Sequence, residues 1–276
     1  MEIMEIIKEA MIFPSTDLAK LAIYIVLAIV AGLLVTFGFI LFGVGLANNS
    51  LVFILGLILF VVGLIVGFII MGYQISIIKS GIEHDEKVPE FNWKGNLITG
   101  IKYLVVNIVY FIIPAIVILI VAWATNLFGV AYTVVNKMMM ASMSAPANAT
   151  VAVADAVPQT ILLTFGTALM ITGIVAFIFL ILFSFIQTMG KSRLAKTDSI
   201  GEAVNIPEAF RDIGRIGYGK VIVVVILIFV IIAVINAIIN GLNGYLNGIA
   251  ILSIIVSPYL VFFAARATGL LYSDIA

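Results

Sequence analysis

Six runs of apolar residues, at 18–46, 51–78, 101–125, 160–187, 221–240 and 249–270, divide the chain, and none shows the alternation of a barrel strand. Each reaches the roughly 18 to 20 residues that cross about 30 Å of hydrocarbon. They predict six membrane-spanning helices, because lipid offers no partner to backbone N–H and C=O groups and a helix satisfies them internally. The first two runs are joined only by Ala47-Asn48-Asn49-Ser50, which predicts a tight antiparallel hairpin. Its glycines, Gly32, Gly38, Gly43 and Gly45 facing Gly56, Gly63, Gly67 and Gly72, would let the two backbones approach closely. Residues 241–247 predict a second short turn, and Pro114 and Pro258 predict kinks in the third and sixth helices.

Between these runs lie amphipathic and polar stretches. At the start, Ile3, Met4, Ile7, Ala10 and Met11 fall on one helical face and Glu2, Glu5, Lys8 and Glu9 on the other, ending before Pro14. That spacing predicts a helix that lies in the membrane interface or packs on the bundle. The stretch 71–105 returns at 189–223: a shift of 118 positions without a gap brings Met71-Gly72 onto Met189-Gly190, Pro89-Glu90 onto Pro207-Glu208 and Lys102 onto Lys220. We read an internal duplication. Pro followed by an acid suits the first turn of a helix, so both copies predict a short surface helix, with Phe91 and Trp93 at headgroup depth in the first. In the second, Ile206, Ala209, Phe210, Ile213 and Ile216 form an apolar stripe opposite Glu208, Arg211, Asp212 and Arg215. The expectation is one polytopic membrane domain over 1–276, all-α, with six transmembrane helices and cytoplasmic amphipathic in-plane helices. Its parallel repeat units run over about 1–79, 80–190 and 191–276.

Charge adds orientation. Thirteen of the 14 Lys and Arg residues fall on one side of this topology, Lys137 being the exception, so both termini are expected in the cytoplasm. With 64% hydrophobic and 10% charged residues and a mean hydropathy of +1.30, the chain lies far from a soluble composition. The formal net charge of +0 gives no reason to expect nucleic acid. The N-terminus carries Glu2, Glu5 and Glu9 rather than a basic segment, so no cleaved signal peptide is expected.

Candidate chemistry is sparse. No ionisable group falls at mid-depth, and the polar residues there, Asn107, Asn236, Ser253, Ser257, Thr36, Thr164 and Thr172, suit packing links. With no cysteine and only His84, in an acidic turn, one chain cannot assemble a His/Cys zinc site, and no catalytic, metal or cofactor residues are assigned. A cytoplasmic basic cluster, Lys191, Arg193, Lys196, Arg211, Arg215 and Lys220, is the candidate for contacts with anionic headgroups, its alternative being ordinary topogenic charge. Arg266, near the inner end of the sixth helix, is expected to snorkel to the headgroups. The long external segment 134–159 carries Asn148-Ala149-Thr150, a glycosylation sequon.

FPSTD after a short N-terminal helix, MGY leading to GIEHDEKVPEF and a following NW, then SRLAKTDSIGEAVNIPEAFRDI before the fifth helix, resemble an uncharacterised archaeal multi-pass membrane family. It is the domain of unknown function numbered four thousand and thirteen. Gly72, Tyr73, Pro89, Glu90 and residues 203–210 carry the resemblance. It implies a six-helix plasma-membrane protein and supplies no activity to carry over. Three functions stay open: a non-enzymatic protein binding lipid headgroups or a membrane-protein partner at its cytoplasmic face, a carrier for a small apolar or amphiphilic solute, and a lipid-modifying enzyme. The last would need Glu90, Glu208 and Arg211 to converge.

Overall fold

The computed structural model describes residues 1–48, 50–145, 156–243 and 250–276, and among them it is all-helical with no strand. In chain order the helices are α1 (Ile3–Ile12), α2 (Leu18–Asn48), α3 (Ser50–Ile82), α4 (Trp93–Ala124), α5 (Leu127–Ser144), α6 (Gln159–Thr197), α7 (Ile200–Ala203), α8 (Ile206–Ile216), α9 (Tyr218–Asn243) and α10 (Ala250–Tyr272). Six of these, α2, α3, α4, α6, α9 and α10, are long and apolar enough to cross a membrane. Contacts gather into two compact units, Met1–Ile108 with Phe185–Ala276, and Val109–Ser184.

In the larger unit α10 is the central helix, packing on α1, α2, α3 and α9. It is also the least apolar span, with a mean hydropathy of 1.7 against 2.8 to 3.5 for the others, and 56% of it is buried against at most 22%. A helix surrounded by protein is released from the need to be apolar all round, and small residues such as Ala265, Ala267 and Gly269 let its neighbours close in. Gly38, Gly45, Gly56 and Gly63 seat α2 against α3 as expected, whereas Gly32, Gly43 and Gly67 face open space. Gly72 faces α4 instead of α2: a Cβ there would collide with the Asn96 carbonyl.

The N-terminal helix α1 packs on α9 and α10. It buries Ile6, Ile7 and Ala10, while Met4, expected on the apolar face, is 60% exposed. Phe13–Ser15, with Pro14, form a single 3-10 turn before α2.

The first of the two matched stretches forms no surface helix, since residues 83–92 are non-helical. Lys20 Nζ donates to the Val88 carbonyl (2.7 Å) and Tyr73 Oη to the Pro89 carbonyl (2.8 Å), acceptors that a helix would turn toward its own amides. Phe91 stacks on Tyr73 with ring centroids 3.9 Å apart, and Trp93 is half exposed beside it. Helix α4 instead starts after Asn92, whose side chain accepts from the Gly95 amide at 3.0 Å. The second stretch does form a short helix, α8, because Asn205 accepts from the Glu208 amide at 3.2 Å and Pro207 fills the first turn. The residue 118 positions before Asn205 is Lys87, which has no such cap to offer.

Three lysines close the membrane hairpins at their charged end. Lys20, at the start of α2, grips the Val88 carbonyl and Glu90 (2.8 Å), just past α3. Lys102, in α4, grips the carbonyl (2.8 Å) and carboxylate (2.7 Å) of Asp198, just past α6. Lys220, in α9, pairs with Asp274, just past α10, and donates to the Met1 carbonyl at 2.5 Å. Each ammonium thus holds a main-chain oxygen and a carboxylate together.

The smaller unit comprises the far parts of α4 and α6 and all of α5. Thr125 and Thr172 hydroxyls meet at 3.3 Å, and Asn126, with φ 53, turns the chain from α4 into α5. Residues 127–144, of which 134–144 fall within the expected external segment, are helical. The Asn148 sequon and the turn residue Asn49 lie outside the described residues, as does 244–249, while Gly241 to Asn243 extend α9.

Candidate functional site

A cavity of about 340 Å³ opens inside the larger unit, among α3, α4, α6, α9 and α10. Its polar lining is Gln74, Tyr103, Lys191, Asn236, Ser257 and Thr268, set among Ile78, Leu260 and Val261. Thr268 lies about one turn from the charged end of α10, and Ser257 about 16 Å further along it. The cavity therefore runs from near the charged end toward mid-membrane.

Lys191 is the group that sets its chemistry. Half-buried, it holds Nζ 5.3 Å from the centre of the Tyr103 ring, a cation–π contact, and has no carboxylate partner among the described residues. Gln74 is held by donating Nε2 to the Tyr24 hydroxyl (3.0 Å), and Asn236 by donating to the Ile232 carbonyl of its own helix (2.9 Å). Gln187 Nε2 donates to Asn107 Oδ1 (2.8 Å) one turn of α6 away, the packing link expected of Asn107. Such a cavity can receive an anionic group at its mouth and neutral polar or apolar atoms below.

Four of the other five residues of the basic cluster are spent within the molecule. Arg193 pairs with Glu202 and with Asp212 (2.9 Å), Arg211 with Glu208, and Arg215 with Asp212 (2.8 Å) and Glu208 (3.5 Å). Lys220 holds Asp274, and Lys196 is exposed without a carboxylate partner among the described residues. Asp212, expected on the solvated face of α8, is 1% exposed. It is satisfied there by Arg193, Arg215 and the Tyr272 hydroxyl (2.9 Å), which is what makes burying a carboxylate tolerable.

Arg266 also departs from expectation. It is 1% exposed rather than snorkelling, with Nη2 2.5 Å from Glu9, Nη1 donating to the Asp85 carbonyl (2.7 Å) and Ser80 (3.3 Å), and its guanidinium over the Phe13 ring. A second cavity, about 700 Å³, lies beside it with Glu9, Asp17 and Glu86 facing Lys20, Lys87, His84 and Arg266. Its acids and fixed cations balance, so it favours no sign of ligand charge. His84, with φ 54, serves as the left-handed residue that ends α3.

Of the residues marking the repeat, Gly72 abuts α4, Gly190 is buried, Pro89 accepts from Tyr73, Pro207 opens α8, Glu90 pairs with Lys20 and Glu208 with Arg211. Glu208 and Arg211 thus share one ion pair, while Glu90 serves another with Lys20, so the three do not converge. Sequence reasoning singled out Lys191 but not Gln74, Tyr103 or Thr268, since five helices distant in sequence bring them together and no local spacing signals it.

No curated protein and no solved structure matches the chain. A family model described as "Protein of unknown function (DUF4013)" matches residues 55–244, from near the start of the second span to just past the fifth, and so includes both stretches 71–105 and 189–223. The chain belongs to this family.

Proposed function

We propose that the protein is a non-enzymatic plasma-membrane protein that binds an anionic amphiphile, a membrane lipid, with the headgroup near Lys191 and both termini in the cytoplasm. One observation carries the reading: Lys191 is a half-buried ammonium, without a carboxylate partner among the described residues, at the edge of a polar-lined cavity within the span bundle. Its five companions in the basic cluster differ, four being engaged by acids and Lys196 standing exposed. An isolated ammonium against low-dielectric surroundings gains most from an incoming anion. The parallel repeat belongs to this reading and draws support from the three lysine clasps. So does an archaeal host, which rests on the sequence resemblance alone.

Native mass spectrometry of the purified protein with dioleoyl phosphatidylglycerol tests it. Lys191→Gln is expected to lower affinity about tenfold, the scale of one charge-assisted hydrogen bond, whereas Arg211→Gln with Arg215→Gln changes it little. Undiminished binding by Lys191→Gln would overturn the proposal. Carriage of the same amphiphile is the second reading, favoured by the reach of the cavity to Asn236 and Ser257. It predicts lipid exchange between vesicle leaflets that Lys191→Gln slows.

A further inference from the structure

A groove of about 680 Å³ runs between α2 and α10, alongside the polar cavity and sharing part of its α10 wall. The α2 wall climbs from Tyr24 to Phe37 on one helical face, about 20 Å of rise, and is apolar apart from Tyr24 and Thr36. Ile29, Leu33 and Phe37 stand 39%, 51% and 56% exposed along it, so the groove opens sideways onto the flank that faces lipid. Across from them, Ser257, Pro258 and Val261 of α10 form the other wall.

The groove and the polar cavity adjoin in two places. Ser257 and Val261, one turn apart on α10, line both. Tyr24, in the groove, accepts the hydrogen bond of Gln74, in the cavity, at 3.0 Å. A molecule with its headgroup at Lys191 therefore meets the groove at the Ser257–Val261 ridge. The length of the groove exceeds the ~15 Å thickness of one leaflet, half the hydrocarbon core, and so has room for a single lipid hydrocarbon chain.

Resting on the amphiphile reading above, we infer that the groove between α2 and α10 holds one hydrocarbon chain of the lipid whose headgroup sits at Lys191. The ligand is then a long-chain anionic lipid rather than a small soluble anion. The chain exchanges contact with bulk lipid for contact with Ile29, Leu33 and Phe37, so the groove adds selectivity for chain length more than raw affinity. Gly32 makes this testable, because it lines the groove and a Cβ there meets nothing within 4 Å. A larger side chain at this position enters the groove, and its Cβ displaces no neighbouring helix. Gly43, on the same helix and equally open, lies outside the groove and serves as the control.

The experiment measures binding of dioleoyl and dihexanoyl phosphatidylglycerol, which share one headgroup, to the full chain in detergent. Gly32→Phe is expected to weaken the dioleoyl lipid about tenfold and leave the dihexanoyl lipid unchanged, with Gly43→Phe indistinguishable from the parent. Circular dichroism and elution volume confirm that both variants fold. Dioleoyl binding that survives Gly32→Phe, or falls equally in Gly43→Phe, overturns the inference while the Lys191 reading stands. Loss of sensitivity to Lys191→Gln for both lipids sinks that reading and the inference with it.

Discussion

Arg266 Nη2 lies 2.5 Å from Glu9 Oε1, joining the central helix α10 to the N-terminal helix across 257 positions of chain. The guanidinium is 1% exposed and the carboxylate 37%, so the pair is unequal: one partner is locked in the core and the other can reach water. Glu9→Gln leaves the buried cation with Ser80 and the Asp85 carbonyl alone, and is expected to cost about 2 to 3 kcal/mol, below the 3 to 5 for a fully buried pair. Arg266→Met, which removes the buried charge itself, is expected to cost less than its size suggests once Glu9 is also made Gln. Thermal unfolding of the two single variants and the double in one detergent measures the coupling; additive losses would mean that the pair does not hold α1 in place.

The lysine clasps act locally. Lys20 and Lys102 each link a span to the segment leaving its hairpin partner through one main-chain and one carboxylate oxygen, and Lys220 links α9 to Asp274 and to the Met1 carbonyl. Lys20→Met is expected to speed hydrogen exchange in residues 86–92 about fivefold, roughly 1 kcal/mol of local opening, without touching the segment around Asp198. Lys102→Met is expected to do the reverse. Exchange that rises in both segments in either variant would show a collective rather than a local role.

Gly72 and Gly43 give opposite responses to the same methyl group. At Gly72 a Cβ collides with the Asn96 carbonyl, so Gly72→Ala must separate α3 from α4 and is expected to destabilise by about 1 to 3 kcal/mol. At Gly43 the same change meets nothing and is expected to be neutral or slightly stabilising. Midpoints of thermal aggregation rank the two; equal values would deny the close approach.

Helix α5 buries none of its residues. Phe128, Tyr132, Val135, Met139 and Met143 are each more than half exposed and share one helical face, with Lys137 opposite. A helix of 18 residues without packing is marginal in water, so an apolar surface is expected to cover that stripe, and the end of a membrane span places lipid beside it. The chain has no cysteine, which makes single labels simple to place. A dye at Met139→Cys is expected to be quenched by shallow spin-labelled lipid and one at Lys137→Cys to stay in water; equal quenching would refute the orientation.

Asp17 caps the first span by accepting from the Lys20 amide at 3.1 Å, and that hydrogen bond is the main cause holding its carboxyl below the ordinary 3.8. With the folded value below the unfolded one, its contribution is present above the unfolded value and fades as pH falls through the folded one. An NMR titration of the Asp17 carboxyl is expected to give a midpoint under 3.8. A midpoint above it would remove the cap from the account.

What the chain alone determined is the architecture that the solvent enforces. Long apolar runs must become helices in lipid, and so six spans, the packing of α2 on α3 and the Pro207 helix start were legible, as was the family. Tertiary structure decided whatever depended on partners distant in sequence. Arg266 reads as a snorkelling residue until Glu9 arrives beside it, and Asp212 as a solvated one until Arg193 and Tyr272 do. The first Pro-Glu copy reads as a helix until Lys20 and Tyr73 claim its carbonyls. Electrostatic pairing and hydrogen bonding across the fold follow from proximity, and proximity is set by packing that no local spacing encodes.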